Sequence, residues 1–232
     1  MKLAVMQPYF FPYIGYFQLI SAVDLFIVYD NIKYTKKGWI NRNRMLQNGK
    51  DVMFSLPLKS DSDYLDVCQR ELSGNFDRDK LLNQFGGAYR RAPYFDQTFP
   101  LIEEIVRHED SNLFNFLRHS IVKTCTHLGI TTEIRNSSSI VIDHTLKNQD
   151  KVLALCEAVG ASAYVNAIGG MALYSKEVFQ GKGIDLNFIQ TKPFKYAQFG
   201  EEFVPWLSII DVLMHQPVSE VAMRVNDDFS FL

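Results

Sequence analysis

The densest chemistry lies in YDNIKYTKKGWINRNRML, which begins at Tyr29. Five cations, Lys33, Lys36, Lys37, Arg42 and Arg44, are interleaved there with Tyr34, Trp39, Asn41 and Asn43. Arginine forks match phosphate or carboxylate bidentately, asparagine offers a donor and an acceptor, and an indole stacks on a base or a sugar. The stretch also reads as a solvated basic hairpin. Its place after the apolar run LFIVYD favours an anion site, with Trp39, Asn41, Arg42, Asn43 and Arg44 as ligand-binding candidates. Asp30, at the carboxyl end of that run, is the candidate base or hydroxyl anchor. Lys36 is the second catalytic candidate.

The other concentrated stretch is QPYFFPYIGYFQLI, whose ten positions from Pro8 to Phe17 hold two prolines, a glycine and six aromatic rings. Proline fixes φ and removes a donor, so Pro8 and Pro12 stiffen a turn, and Gly15 lets the backbone approach another group closely. The phenylalanines suit core packing. Gln7, Tyr13 and Tyr16 are candidates for a pocket wall.

Two weaker features lie further on. Gly169 and Gly170, in NAIGG, form a turn able to present backbone donors to an anion or simply to reverse the chain. In LSIIDVLMH, Ser208 and Asp211 interrupt an apolar helical pattern, and His215 lies one turn beyond Asp211 on the same face. They read as ligand contacts or as a structural pair. Cys125 and Cys156 fall on apolar helical faces and read as inert core thiols; Cys68 has a more polar setting. The five histidines show no metal-ligand spacing, so no metal site is expected. Neither GxGxxG nor a Walker A pattern is present, and no cofactor is assigned.

These residues need elements to position them. Lys2 to Met6 reads as a short buried strand, the aromatic turn follows, Ile14 to Val23 has helical spacing, and LFIVYD is a strand. The C-terminal half repeats this order: strand SIVID, a helix with Val152, Leu155, Cys156 and Val159 on one face, strand SAYVNA, a helix through Ser175 and Phe179, and strand DLNFIQ. Between the halves, about residues 76–129, three consecutive segments read as helices, and WLSIIDVLMHQ and one further helix close the chain. The expected fold is α/β and Rossmann-like: a mostly parallel sheet with helices on both faces and a helical insertion, as one domain over residues 1–232. Ligands of such sheets bind beyond the carboxyl ends of the strands.

With 47% hydrophobic and 22% charged residues the chain can bury a sizeable core. A net charge of −2 gives no general attraction to nucleic acid or to anionic membrane. Three cysteines and no signal-like or membrane-length apolar run point to a cytoplasmic protein with reduced thiols.

The run QPYFFPYIGYFQLI, then DLFIVYD, WINRNR and LSIIDVL in that order resemble the WbqC-like family of bacterial proteins. That resemblance implies a role in surface-polysaccharide (O-antigen) biosynthesis. The implied activity is that of a transferase on a nucleotide-linked sugar, with acyl or aminoacyl transfer to a sugar amine as one form. More remotely, Tyr13-Ile14-Gly15-Tyr16 is similar to the HxGH turn of adenylyl-transferring enzymes, with both histidines replaced by tyrosine. This leaves a nucleotidylyltransferase or adenylate-forming ligase as one alternative, and a non-catalytic scaffold of a glycan-assembly complex as another.

Overall fold

The structure, a computed structural model, describes residues 1–200 and 202–232. In chain order its main elements are β1 (Lys2–Met6), α1 (Ile14–Ser21), β2 (Leu25–Val28), the hairpin β3 (Arg42–Gln47) and β4 (Lys50–Ser55), then α2 (Arg78–Tyr89), α3 (Phe95–Val106) and α4 (Leu113–His127). There follow β5 (Glu133–Asn136), α5 (Asn148–Val159), β6 (Ala163–Ala167), α6 (Lys176–Gly181), β7 (Asp185–Thr191), α7 (Ile209–His215), α8 (Val218–Asp227) and β8 (Phe229–Phe231).

Six strands form one sheet in the order β5-β2-β1-β6-β7-β8, every pair parallel except β7 with β8. Numbered by first appearance this is 3-2-1-4-5-6, the doubly wound order, which reverses direction between β1 and β6. Both faces are buried. Leu3 and Val5 join Leu25, Ile27, Tyr164 and Phe188 beneath α5 and α6, whereas Ala4, Phe26, Val28, Val165 and Ile189 belong to a larger core with α1 to α4, α7 and α8. Side chains alternate along a strand, so adjacent residues feed opposite cores.

The layout agrees with the α/β reading, and differs from it at the third sheet strand. SIVID was expected there, but Glu133–Asn136 pairs with β2, and SIVID follows as a short 3-10 turn and bends. Its apolar content misleads because Val141 is 96% exposed. The basic stretch becomes a separate two-stranded hairpin through Asn48 and Gly49, at φ 52° and 74°. Positive φ at both central residues matches the twist of tight hairpins, and Asn-Gly tolerates it.

Candidate active site

The aromatic turn leaves β1 at Met6 and returns as α1, so it sits over the point where the sheet reverses. Phe10 and Phe11 are core residues and carry its packing. Phe11 has φ 43°, a left-handed conformation that a bulky side chain rarely adopts. Its carbonyl accepts from Asn43 Nδ2 at 2.9 Å and from Ser208 Oγ at 2.7 Å, and these two bonds hold the strained residue in place. Asn43 Oδ1 accepts in turn from the Arg44 amide at 2.9 Å. The turn, β3 and the start of α7 are thus one hydrogen-bonded unit.

Beside this unit lies a cavity of about 570 Å³ at the carboxyl ends of β1, β6 and β7. Tyr9, Tyr13, Tyr16, Trp39 and Trp206 supply aromatic wall, and Asn43, Arg44, Gln190 and Thr191 supply polar groups. Gly15 also lines it, and a Cβ there would meet Thr191 Oγ1 at 2.8 Å and the Tyr13 ring at 3.2 Å. Thr191 is itself fixed, donating to Gln18 Oε1 at 2.6 Å. Gln18 is fully buried and gives its amide protons to the carbonyls of Arg224 and Asp228 at the end of α8.

Arg44 is the cation among the lining residues. Its Nη1 meets Asp51 at 2.9 Å and its Nη2 donates to the Trp206 carbonyl at 3.1 Å, while its Nε is buried without a partner. An unpaired buried donor is costly, while the side chain as a whole is partly exposed on the cavity wall and offers its charge to an anion there. Burial pushes the Tyr13 phenol up to about 12 despite an opposing contribution from Thr191. It raises Tyr9 as well, and Tyr16 further. The three are therefore neutral hydroxyls at neutral pH.

The profile of the WbqC-like protein family matches residues 7–223. The chain belongs to that family. It is also 28% identical over 223 residues to a protein of Mycobacterium tuberculosis (strain ATCC 25618 / H37Rv) named "Uncharacterized protein Rv1507c", covering 92% of this chain and 93% of that one. No solved structure matches it.

This WbqC-like chain gathers Tyr13, Tyr16, Trp39, Asn43 and Arg44 around the cavity. The other residues singled out from the sequence lie elsewhere. Gln7 contributes its carbonyl to Tyr16 Oη at 3.0 Å. Asn41 is committed to Tyr34 Oη and the Leu56 carbonyl, each at 2.8 Å. Arg42 donates to the Gly38 carbonyl at 2.9 Å and does not line the cavity. Lys36 is exposed and pairs with Asp63 at 2.6 Å.

Asp30 is buried, and its carboxylate accepts from Ser137 Oγ at 2.7 Å, from the Ser138 amide at 2.9 Å and from Ser138 Oγ. It ties the end of β2 to the turn after β5. Gly169 and Gly170 lie in the 3-10 segment after β6, where a side chain on Gly170 would collide with the Asn166 amide. Ser208 caps α7 and holds Phe11.

Asp211 is fully buried and accepts from Tyr89 Oη at 3.0 Å, Tyr196 Oη at 2.7 Å and Gln198 Nε2 at 2.8 Å. It anchors the segment after β7 to the helical layer. The cavity also recruits Tyr9, Thr191 and Trp206, which were not singled out as site residues. The carboxyl end of DLNFIQ was the available signal for Thr191, and adjacency to LSIIDVL for Trp206.

Among the described residues no cluster of His, Cys, Asp or Glu is arranged for a metal ion, and no helix is long and apolar enough to cross a membrane.

Proposed function

We propose that the switch-point cavity binds a nucleotide-linked sugar and that the protein is a transferase of bacterial surface-glycan (O-antigen) assembly. In the form favoured here it moves an acyl or aminoacyl group onto a sugar amine. The observation that carries the binding step is the joint presence, in one 570 Å³ cavity, of Trp39, Trp206 and three tyrosines with an arginine whose Nε lacks a partner. Aromatic faces stack on bases and on the apolar faces of sugars, and a guanidinium takes phosphate. At the start of α1 the Tyr16 amide is taken by the Tyr13 carbonyl at 2.9 Å, which leaves the amide of Gly15, a residue of the cavity wall, as a second anion contact. Membership of the WbqC-like family supports the surface-glycan setting, which the resemblance implies.

Tyr13 would orient the sugar as a neutral donor, Tyr16, whose hydroxyl is committed to the Gln7 carbonyl, would supply wall, and Arg44 would hold phosphate. Both tyrosines stand where adenylyl-transferring enzymes use histidine, and phenols this hard to ionise are poor replacements for an imidazole that shuttles protons. This weighs against the nucleotidylyltransferase reading.

The test uses fluorescence, because the chain's two tryptophans both line the cavity. UDP-, dTDP- and GDP-linked amino sugars should change their emission saturably. Incubation of the binding sugar with acyl and aminoacyl donors should then yield a product heavier by the transferred group in mass spectrometry. Absence of any saturable change removes the nucleotide-sugar reading. Binding without turnover across the donor set favours a scaffold.

A further inference from the structure

A second cavity, of about 330 Å³, adjoins the first, and Tyr13, Pro193 and Trp206 line both. The Tyr13 and Trp206 rings, 5.3 Å apart between centroids, form part of the shared wall. Beyond them the lining changes character. Phe194, Tyr196, Phe203, Leu207 and Val212 make it apolar, and Lys195 is the cation among its lining residues.

Two features indicate a built site. Trp206 has φ 61°, a strained conformation for so large a residue, and such strain persists only where the surroundings enforce it. Here the enforcing bond is Arg44 to the Trp206 carbonyl. The far wall is likewise fixed, since Tyr196 and Gln198 are both bound to the fully buried Asp211. A preformed apolar pocket with one polar group is the usual form of a small-molecule site.

Size narrows the occupant. An apolar cavity of about 150 Å³ holds one benzene, so this one takes a hydrocarbon group roughly twice that size. We propose that the second cavity binds a small aryl or alkyl carboxylate, its hydrocarbon among Phe194, Tyr196, Phe203 and Val212 and its carboxylate at Lys195. The claim concerns binding at this cavity and stands or falls apart from the nucleotide-sugar reading of its neighbour.

Because Trp206 lines both cavities and Trp39 only the first, single-tryptophan proteins report on them separately. The probe is 3-phenylpropionate, with 3-phenylpropanol as the uncharged control. It should change Trp206 emission saturably in the Trp39→Phe protein and leave Trp39 emission in the Trp206→Phe protein unchanged.

Lys195 is exposed, so Lys195→Gln is not expected to disturb folding. In the Trp39→Phe background it should weaken the carboxylate about tenfold or more and leave the alcohol unaffected. Phe203→Ala should weaken both. The proposal is overturned if no saturable change occurs, if Trp39 responds as strongly as Trp206, or if Lys195→Gln binds the carboxylate as before. Nucleotide sugars, read through Trp39 in the Trp206→Phe protein, score the other reading independently.

Discussion

Arg44 Nη2 donates to the carbonyl of Trp206 at 3.1 Å, and the Arg44 carbonyl accepts from the amide of Ser208, two residues further on, at 2.9 Å. A hairpin arginine therefore holds both a strained tryptophan and the first residue of the turn into α7. The same residue lines the cavity, and its Nε is buried without a partner. Position and chemistry thus meet in one residue.

Arg44→Ala should weaken a phosphate-bearing ligand by about 1.5–3 kcal/mol, the range for hydrogen bonds to charged groups. Arg44→Lys should recover only part of this, because an ammonium cannot reproduce the planar fork. Arg42→Ala is the control. Its guanidinium is turned to the Gly38 carbonyl, so binding should be unchanged. Calorimetric titration of the three variants decides it, and equal losses at both arginines would contradict the geometry.

Why the two arginines differ explains how far the sequence could be read. Alternation along β3 places Arg42 and Arg44 on one face, as an extended WINRNR would suggest. It carried no information on what else meets that face. Arg42 meets the Gly38 carbonyl four residues back, and Arg44 meets Trp206, which is 162 positions away in the chain. The sheet was legible because LAVM and LFIV are buried on both sides and so nearly continuous in apolar residues. The edge strand Glu133–Asn136 was not, since half of it is exposed and alternates with charge. Asp30 had the right place for a catalytic base, but Ser137 and Ser138, from a distant segment, claim its carboxylate.

Asp30→Ala should accordingly act on stability. It removes the acceptor for a buried serine hydroxyl and a backbone amide, with an expected loss of roughly 2–4 kcal/mol in urea unfolding. Nucleotide-sugar affinity of the folded fraction should not change. Asp30→Asn, which keeps the shape and one acceptor, should lose less. If folded Asp30→Asn protein binds normally yet has no turnover, Asp30 is a catalytic base after all.

Gly15→Ala places a methyl group 2.8 Å from Thr191 Oγ1. Thr191 cannot yield freely, being bound to Gln18, which also holds the end of α8. Overpacking of this kind costs about 1–3 kcal/mol. The methyl also enters the cavity. We expect a lowered Tm together with loss of ligand affinity, measured by thermal unfolding and by tryptophan titration. A variant that binds as tightly as the parent would show that the Gly15 side of the cavity is unused.

The buried thiols give a pH dependence whose sign follows from linkage. Burial pushes Cys125 and Cys156 each up to about 12. Each is almost wholly inaccessible. In the unfolded chain both ionise near their ordinary value, so between that value and about 12 the unfolded state holds fewer protons than the native one. Stability is therefore fully present below the unfolded value and lost as pH rises through the interval. By about pH 10.5 the loss should approach roughly 2 kcal/mol per thiol as an upper bound. Urea unfolding of the parent, Cys125→Ala and Cys156→Ala between pH 8 and about pH 10.5 measures it, and each variant should show a shallower decline than the parent. Cys68 is only half-buried, with its thiol raised first by burial and then by Asp30 and Asp66, so in native protein at neutral pH it should be the slow but accessible site of alkylation. Rapid alkylation at Cys125 or Cys156 without unfolding, or a decline in stability that both alanine variants retain in full, would place those thiols outside the core.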